Sequence, residues 1–212
     1  MKKYKAHQKY TLSDGTTVPG VTTVLNVLNK PALVGWANRL GLQGIDSTKY
    51  VDGKAEIGTC AHYLIECHLK GEKPDLSEYA PAVVSEAENG FLKFLEWQDG
   101  KNFRLIGSEL QLVSEKYRYG GTIDIYAEID GRPTLVDIKT SGSGIWPEMR
   151  HQVAAYSAML IEHGDPVERT MIVRVGRSSD EGFQVETVGN IEAHFVLFLH
   201  CLEIYQLQKV LK

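Results

Sequence analysis

The sequence predicts a mixed α/β or α+β fold, helical in its first half, with helices bracketing a central group of strands. Three features predict it. Up to Trp97, apolar side chains recur at helical spacing between proline and glycine breaks. After Gly100 the pattern changes to runs rich in β-branched residues that alternate in polarity. One more helical segment then interrupts the strands, and another closes the chain.

Taken in order, Tyr10 to Leu12 and Thr16 to Val18 flank the turn-forming pair Asp14-Gly15 and read as a small hairpin. Pro19-Gly20 breaks the chain, and Thr22 or Thr23 is expected to cap a helix carrying Val24, Leu25, Val27 and Leu28. A second helix follows Pro31, includes Trp36 and Leu40, and ends near Gly41. Two more are predicted from about Ala55 to Leu69 and from about Pro81 to Trp97. Strands are predicted over Phe103 to Val113, Gly121 to Ile129 and Thr134 to Thr140. Gly142 and Gly144 make a loop, and Pro147 opens a helix to about His163. Met171 to Val175 and Phe183 to Val188 read as strands, and an amphipathic helix runs from Ile191 to about Leu211. No linker or internal repeat divides the chain, so residues 1–212 are expected to form one domain.

With 43% hydrophobic and 9% aromatic residues, the chain has the composition of a packed core rather than of a disordered segment. No stretch approaches the roughly 20 apolar residues of a membrane span. Lys2, Lys3, Lys5 and Lys9 have no apolar run behind them, which argues against a secretory signal and for the cytoplasm. A formal net charge of -4 shows no domain-wide basic footprint. A phosphate-binding surface would have to be local, or its charge supplied by a metal. Three cysteines, Cys60, Cys67 and Cys201, make no disulfide framework and read as buried thiols.

The segment from Tyr119 to Thr140 carries the chemistry. Asp130-Gly131 between two β-rich runs signals a two-residue hairpin. In that register Ile129 pairs with Arg132, Asp124 faces Asp137, and Thr122 faces Lys139. Alternation puts Ile123, Ile125, Ala127, Ile129, Val136 and Ile138 on one, core-facing side. Asp124, Asp137 and Lys139 share the other. Opposed carboxylates repel. Either both point into water, or a counter-charge from Lys139 and a divalent cation lies between them.

This pattern, Asp124 followed by Asp137-Ile138-Lys139, resembles the D…(D/E)xK core of the PD-(D/E)xK nuclease superfamily. Gly58-Thr59-Cys60-Ala61-His62 resembles the upstream G-x-x-x-H segment of RecB-type exonucleases, and Gln152 to Tyr156 resembles their downstream Q-x-x-x-Y motif. Pro19 to Leu25, with Lys30-Pro31-Ala32-Leu33, is similar to phage and mitochondrial members. The resemblance implies a restriction-endonuclease-like core, a central mixed sheet flanked by helices, and a metal-dependent DNA exonuclease acting on DNA with a free end, single- or double-stranded.

It also implies roles. Asp124 and Asp137 would hold Mg²⁺ or Mn²⁺, since oxygen ligands suit those ions. The resemblance adds the Ile138 carbonyl, His62 and, for a second metal, Glu109. By spacing alone His62 is a helix histidine paired with Glu66, and Glu109 an exposed strand acid. Lys139 would orient or deprotonate the attacking water, or stabilise charge on the phosphorane. Gln152 and Tyr156 share a helix face; Gln152 would hold the lysine, the water or the phosphate, and Tyr156 would contact phosphate or a base; otherwise they are a polar stripe beside the core. For DNA contacts, Thr22 and Thr23 at a helix N-terminus, Lys54, Arg150, Arg174 and Arg177 as a local positive surface, and Trp146 as a stacking residue are the candidates. Trp36 is expected to pack. Relatives with an iron–sulfur cluster use four cysteines, so no such cluster is expected here. Two other readings stay open: a catalytically silent DNA-end or protein-binding module, and a zinc hydrolase, for which no HExxH spacing speaks.

Overall fold

The structure, a computed structural model, describes residues 8–211. Lys2, Lys3 and Lys5, whose charges with no apolar run behind them argue against a secretory signal, lie outside them. The fold is mixed α/β, with a five-stranded mixed sheet flanked by helices and a helical N-terminal half.

The chain opens with the expected hairpin, β1 (Tyr10–Thr11) and β2 (Thr17–Val18). The Asp14 carboxylate accepts from the Thr16 N–H at 2.7 Å, a side-chain-stabilised turn. Helix α1 (Val21–Leu25) is capped by Gly20, not by Thr22 or Thr23. Val21 and Val24 are both core residues, so the helix must already be wound at Val21, and the threonines lie on its exposed side. Helix α2 (Pro31–Leu42) contributes no buried residue, and Trp36 rests edge-on against Tyr50.

Helix α3 (Ser47–Lys70) starts well before the expected Ala55. Its true cap is Asp46, whose carboxylate accepts from the Thr48 and Lys49 N–H groups at 2.8 and 3.2 Å. Burial begins only at Ile57, so the first turns carry no apolar periodicity to read. Gly71, at φ 68, ends the helix in the left-handed conformation that favours glycine. Helix α4 (Pro81–Gln98) packs on α3.

The sheet follows chain order: β3 (Phe103–Ser114), β4 (Tyr119–Ile129), β5 (Arg132–Lys139), β6 (Arg169–Val175) and β7 (Phe183–Thr187). All neighbours are antiparallel except β5 and β6. That parallel pair requires a crossover, and helix α5 (Pro147–Glu162) provides it. Helix α6 (Ile191–Val210) closes the chain. Ile125, Ala127, Val136 and Val173 pack with Ile65, Phe94 and Trp97 of α3 and α4. Tyr126, Leu135 and Ile172 pack with α1, α5 and α6 on the opposite face. Ile123, expected beside Ile125, belongs to this second cluster instead. Both faces of the sheet are therefore covered, and the face bearing Asp137 is not solvated. Among the described residues no helix is long and apolar enough to cross a membrane.

Candidate active site

The β4–β5 hairpin has the expected register, with Ile129 opposite Arg132 and Asp130-Gly131 at φ 53 and 76 in the turn. Pairing runs as far as Ile125 opposite Val136 and stops before Asp124. There the Asp124 carboxylate takes the place of the ladder partner, its Oδ2 accepting from the Ile138 N–H at 2.7 Å. β5 meanwhile stays paired with β6 as far as Lys139 opposite Arg174. Asp137 is thus fixed mid-sheet under α5, only 2% exposed. Lys139 Nζ lies 2.8 Å from Asp137 Oδ2. It also donates to Gln152 Oε1 at 3.0 Å, and Gln152 Nε2 donates to the Tyr156 hydroxyl at 2.9 Å. The i,i+4 spacing of Gln152 and Tyr156 lets both reach inward from α5. Gly121 makes room for them: a Cβ there would sit 2.5 Å from the Tyr156 ring.

From the other side of the sheet, α3 delivers His62. The helix approaches the end of β5 so closely that a Cβ on Gly58 would lie 2.5 Å from Thr140 Oγ1. His62 Nδ1 stands 3.7 Å from Asp124 Oδ1, while Glu66 pairs with Lys70. Glu109 completes the group. Its neighbours Ser108 and Leu110 pair with Ile125 and Ile123, which sets Glu109 level with Asp124. Glu109 itself has φ 50, an uncommon conformation for a non-glycine residue inside a strand, and one that often marks a constrained site. One ligand atom each from His62, Glu109 and Asp124 can be chosen so that all lie within 4.8 Å of one another.

Three charges crowd together here. Burial raises the Asp137 carboxyl to about 6, with the Lys139 cation opposing and Asp124 adding to the rise. Burial also raises Asp124 to about 6, against the pull of Lys139 and the Ile138 N–H. For Lys139, burial opposes the charge, but the two carboxylates outweigh it and its pKa is raised. Burial and the Lys139 cation push the His62 imidazole down to about 4, so it is neutral near pH 7. Asp124, Asp137 and Lys139, all ionised, would sum to one negative charge. Asp137 Oδ2 is buried and has no donor aligned for a hydrogen bond, despite its ion pair with Lys139. A neutral imidazole, oxygen donors and surplus negative charge fit a hard divalent cation such as Mg²⁺ or Mn²⁺.

His62, Glu109 and Asp124 line a cleft of about 430 Å³, with Asp137 buried behind them. One wall is a stripe of α3, Val51, Lys54, Gly58, Thr59 and His62; the other carries Glu109, Thr122, Asp124 and Thr140. Neither Thr122 nor Thr140 is among the site residues that the sequence predicts. Two-residue periodicity puts Thr122 on the Asp124 face and offers a signal for it. Tyr10, which donates to or accepts from Thr122 Oγ1 at 3.0 Å, lies 112 residues away and gives none.

The proposed DNA contacts are more dispersed. Thr22 and Thr23 are exposed on α1 and do not line the cleft. Lys54 lines it but pairs with Glu86 at 2.9 Å. Arg150 makes a two-pronged pair with Glu186, and Arg177 pairs with Glu181. Arg174 is buried and donates to the Ser141 and Glu181 carbonyls at 2.8 and 2.7 Å. Trp146 is exposed, its indole N–H donating to Ser143 Oγ at 3.2 Å. Cys60, Cys67 and Cys201 are buried free thiols.

No protein-family model and no curated protein matches the sequence. Among solved structures, the chain is similar to a candidate exonuclease from Eubacterium rectale, with 13% identity and a TM-score of 0.49. That match covers 74% of this chain and spans 65% of the other. It is also similar to an alkaline exonuclease from Laribacter hongkongensis, with 16% identity, a TM-score of 0.40, and coverage of 90% and 92%.

Proposed function

We propose that the protein is a divalent-metal-dependent deoxyribonuclease of the PD-(D/E)xK type, an exonuclease acting in the cytoplasm on DNA with a free end. The observation that carries the proposal is the parting of β4 and β5. It brings Asp124, Asp137 and Lys139 together in a partly buried site, beside His62 and Glu109, which line a cleft with Asp124. The preference for exonuclease over endonuclease follows the sequence resemblance.

Asp124 and Asp137 would hold the cation, with the Ile138 carbonyl, the neutral His62 imidazole and Glu109 as further ligands. When bound, Mg²⁺ or Mn²⁺ supplies Lewis acidity toward the phosphoryl oxygens and lowers the pKa of water. Lys139, held charged by its two carboxylates, acts as a fixed cation toward charge developing on the phosphate. Gln152 fixes where that ammonium points, and Tyr156 fixes Gln152. Asp124 keeps β5 in place through the Ile138 N–H while offering Oδ1 to the site.

The test is cleavage of end-labelled linear and circular DNA, single- and double-stranded, with Mg²⁺, Mn²⁺ or EDTA, beside Lys139→Ala. Metal-dependent shortening of linear DNA, circles spared and the variant inactive, is the expected result. A wild type that binds DNA without metal and cuts none of these substrates would instead make it a binding module.

A further inference from the structure

We infer that Tyr10 and Thr122 form a hydroxyl pair that binds a phosphate oxygen of the DNA strand, with Thr122 making the contact and Tyr10 positioning it. The inference rests on the nuclease reading for the identity of the strand.

The amino-terminal hairpin packs on β4, the strand whose Thr122 lines the cleft. Gly120 N donates to the Pro19 carbonyl at 2.9 Å, and Gly20 forms a bridge with Gly120. The Tyr10 ring fills a slot that two glycines keep open. A Cβ on Gly120 would lie 2.4 Å from Tyr10 Cβ and Cγ, and one on Gly20 would lie 3.0 Å from its Cε2. Neither glycine has a positive φ, so close approach to the ring is what these positions require of glycine. The slot delivers the phenol oxygen to Thr122 Oγ1 at 3.0 Å. Burial raises the phenol pKa, the Thr122 hydrogen bond pulls against that rise, and the nearby Glu109 carboxylate adds a smaller upward push.

A bond between two hydroxyls uses one proton and leaves the other. The phenol is the more acidic, so Tyr10 donates to Thr122, and the Thr122 proton is free to face the cleft that Thr122 lines. A phosphate entering there meets Glu109 and Asp124, so it needs donors on the same wall. Lys54 leans on Glu86, and Thr59 spends its proton on the Ala55 carbonyl at 3.0 Å. Thr122 supplies a neutral donor beside the carboxylates. Once those carboxylates are committed to a cation, the acceptor left to it is the phosphate oxygen.

Tyr10→Phe keeps the ring in its slot and removes only the hydroxyl. Thr122→Val removes the contact, and Thr122→Ser keeps it. KM and kcat on a single-stranded oligonucleotide would be measured with Mn²⁺, together with its binding by fluorescence anisotropy in Ca²⁺, which needs no turnover. Tyr10→Phe and Thr122→Val should each weaken binding and raise KM by about three- to tenfold, the range of one lost hydrogen bond. Their kcat and melting temperature should stay close to wild type, Thr122→Ser should restore binding, and the double variant should bind no more weakly than Thr122→Val. Tyr10→Phe with wild-type binding, or with a loss that tracks a fall in melting temperature, would overturn the inference. A wild type that binds the strand in a Tyr10-dependent way but never cuts it would remove the nuclease reading alone.

Discussion

Replacing Asp137 by Asn should stabilise the metal-free protein while abolishing cleavage. Asp137 is buried, and its carboxyl is raised from the ordinary 3.8 to about 6. The folded state therefore binds protons more tightly than the unfolded chain. Its contribution to stability is full below pH 4 and is lost as pH rises through about 6. A shift of this size corresponds to about 3 kcal/mol, or roughly 6–12 °C in melting temperature for a chain of this length. Thermal unfolding in EDTA would be followed from pH 4.5 to 8 for wild type and Asp137→Asn. Surface carboxylates act equally on both proteins, so the difference between the two curves isolates the site. The variant should gain stability relative to wild type across pH 4.5–7, and Mg²⁺ or Mn²⁺ at pH 7.5 should stabilise wild type only. A difference that stays flat with pH, or a variant less stable than wild type at pH 7.5 in EDTA, would refute the account of a surplus buried charge.

Three further outcomes follow from the packing. Glu109→Gly should release the backbone held at φ 50 and raise metal-free stability by up to about 1 kcal/mol, while weakening the Mn²⁺-induced rise in melting temperature. Calorimetry with and without Mn²⁺ reads both. Gly58→Ala drives a methyl group toward Thr140 Oγ1 and should lower stability by about 1–3 kcal/mol; adding Thr140→Ala should recover much of the loss in a double-mutant cycle. Gly121→Ala meets the rigid Tyr156 ring and should cost about 1–3 kcal/mol by denaturant unfolding, with activity falling as Gln152 loses its support.

The hairpin was the most legible part of the chain, because Asp130-Gly131 sets both turn and register and alternation then places Asp124, Asp137 and Lys139. Pattern alone does not reveal that the ladder stops at Asp124. That break depends on a side chain replacing a backbone partner, which no periodicity encodes. Nor could it choose between a solvated and a buried acidic face, since the cover comes from α5, whose polar Gln152 looks like a surface residue until it meets Lys139. His62 reads locally as a partner for Glu66, yet it faces Asp124 across the sheet. The partners of the arginines are illegible for a similar reason: the acid that pairs with Arg150 stands 36 residues away. The start of α3 was lost because a helix without a buried face has no apolar signature.

The order of the strands carries a consequence for how the protein comes into being. Every strand of the sheet pairs with its neighbour in sequence, so the sheet can grow by short closures, with α5 bridging the longest of them. The Tyr10–Thr122 contact instead joins points 112 residues apart. A refolding chain should therefore acquire its sheet before the amino-terminal hairpin docks, and Gly120→Ala, whose added methyl group would meet the Tyr10 ring, should accelerate unfolding without slowing folding. A chain emerging from the ribosome would then hold Asp124, Asp137 and Lys139 in register before the amino-terminal hairpin settles on Gly120.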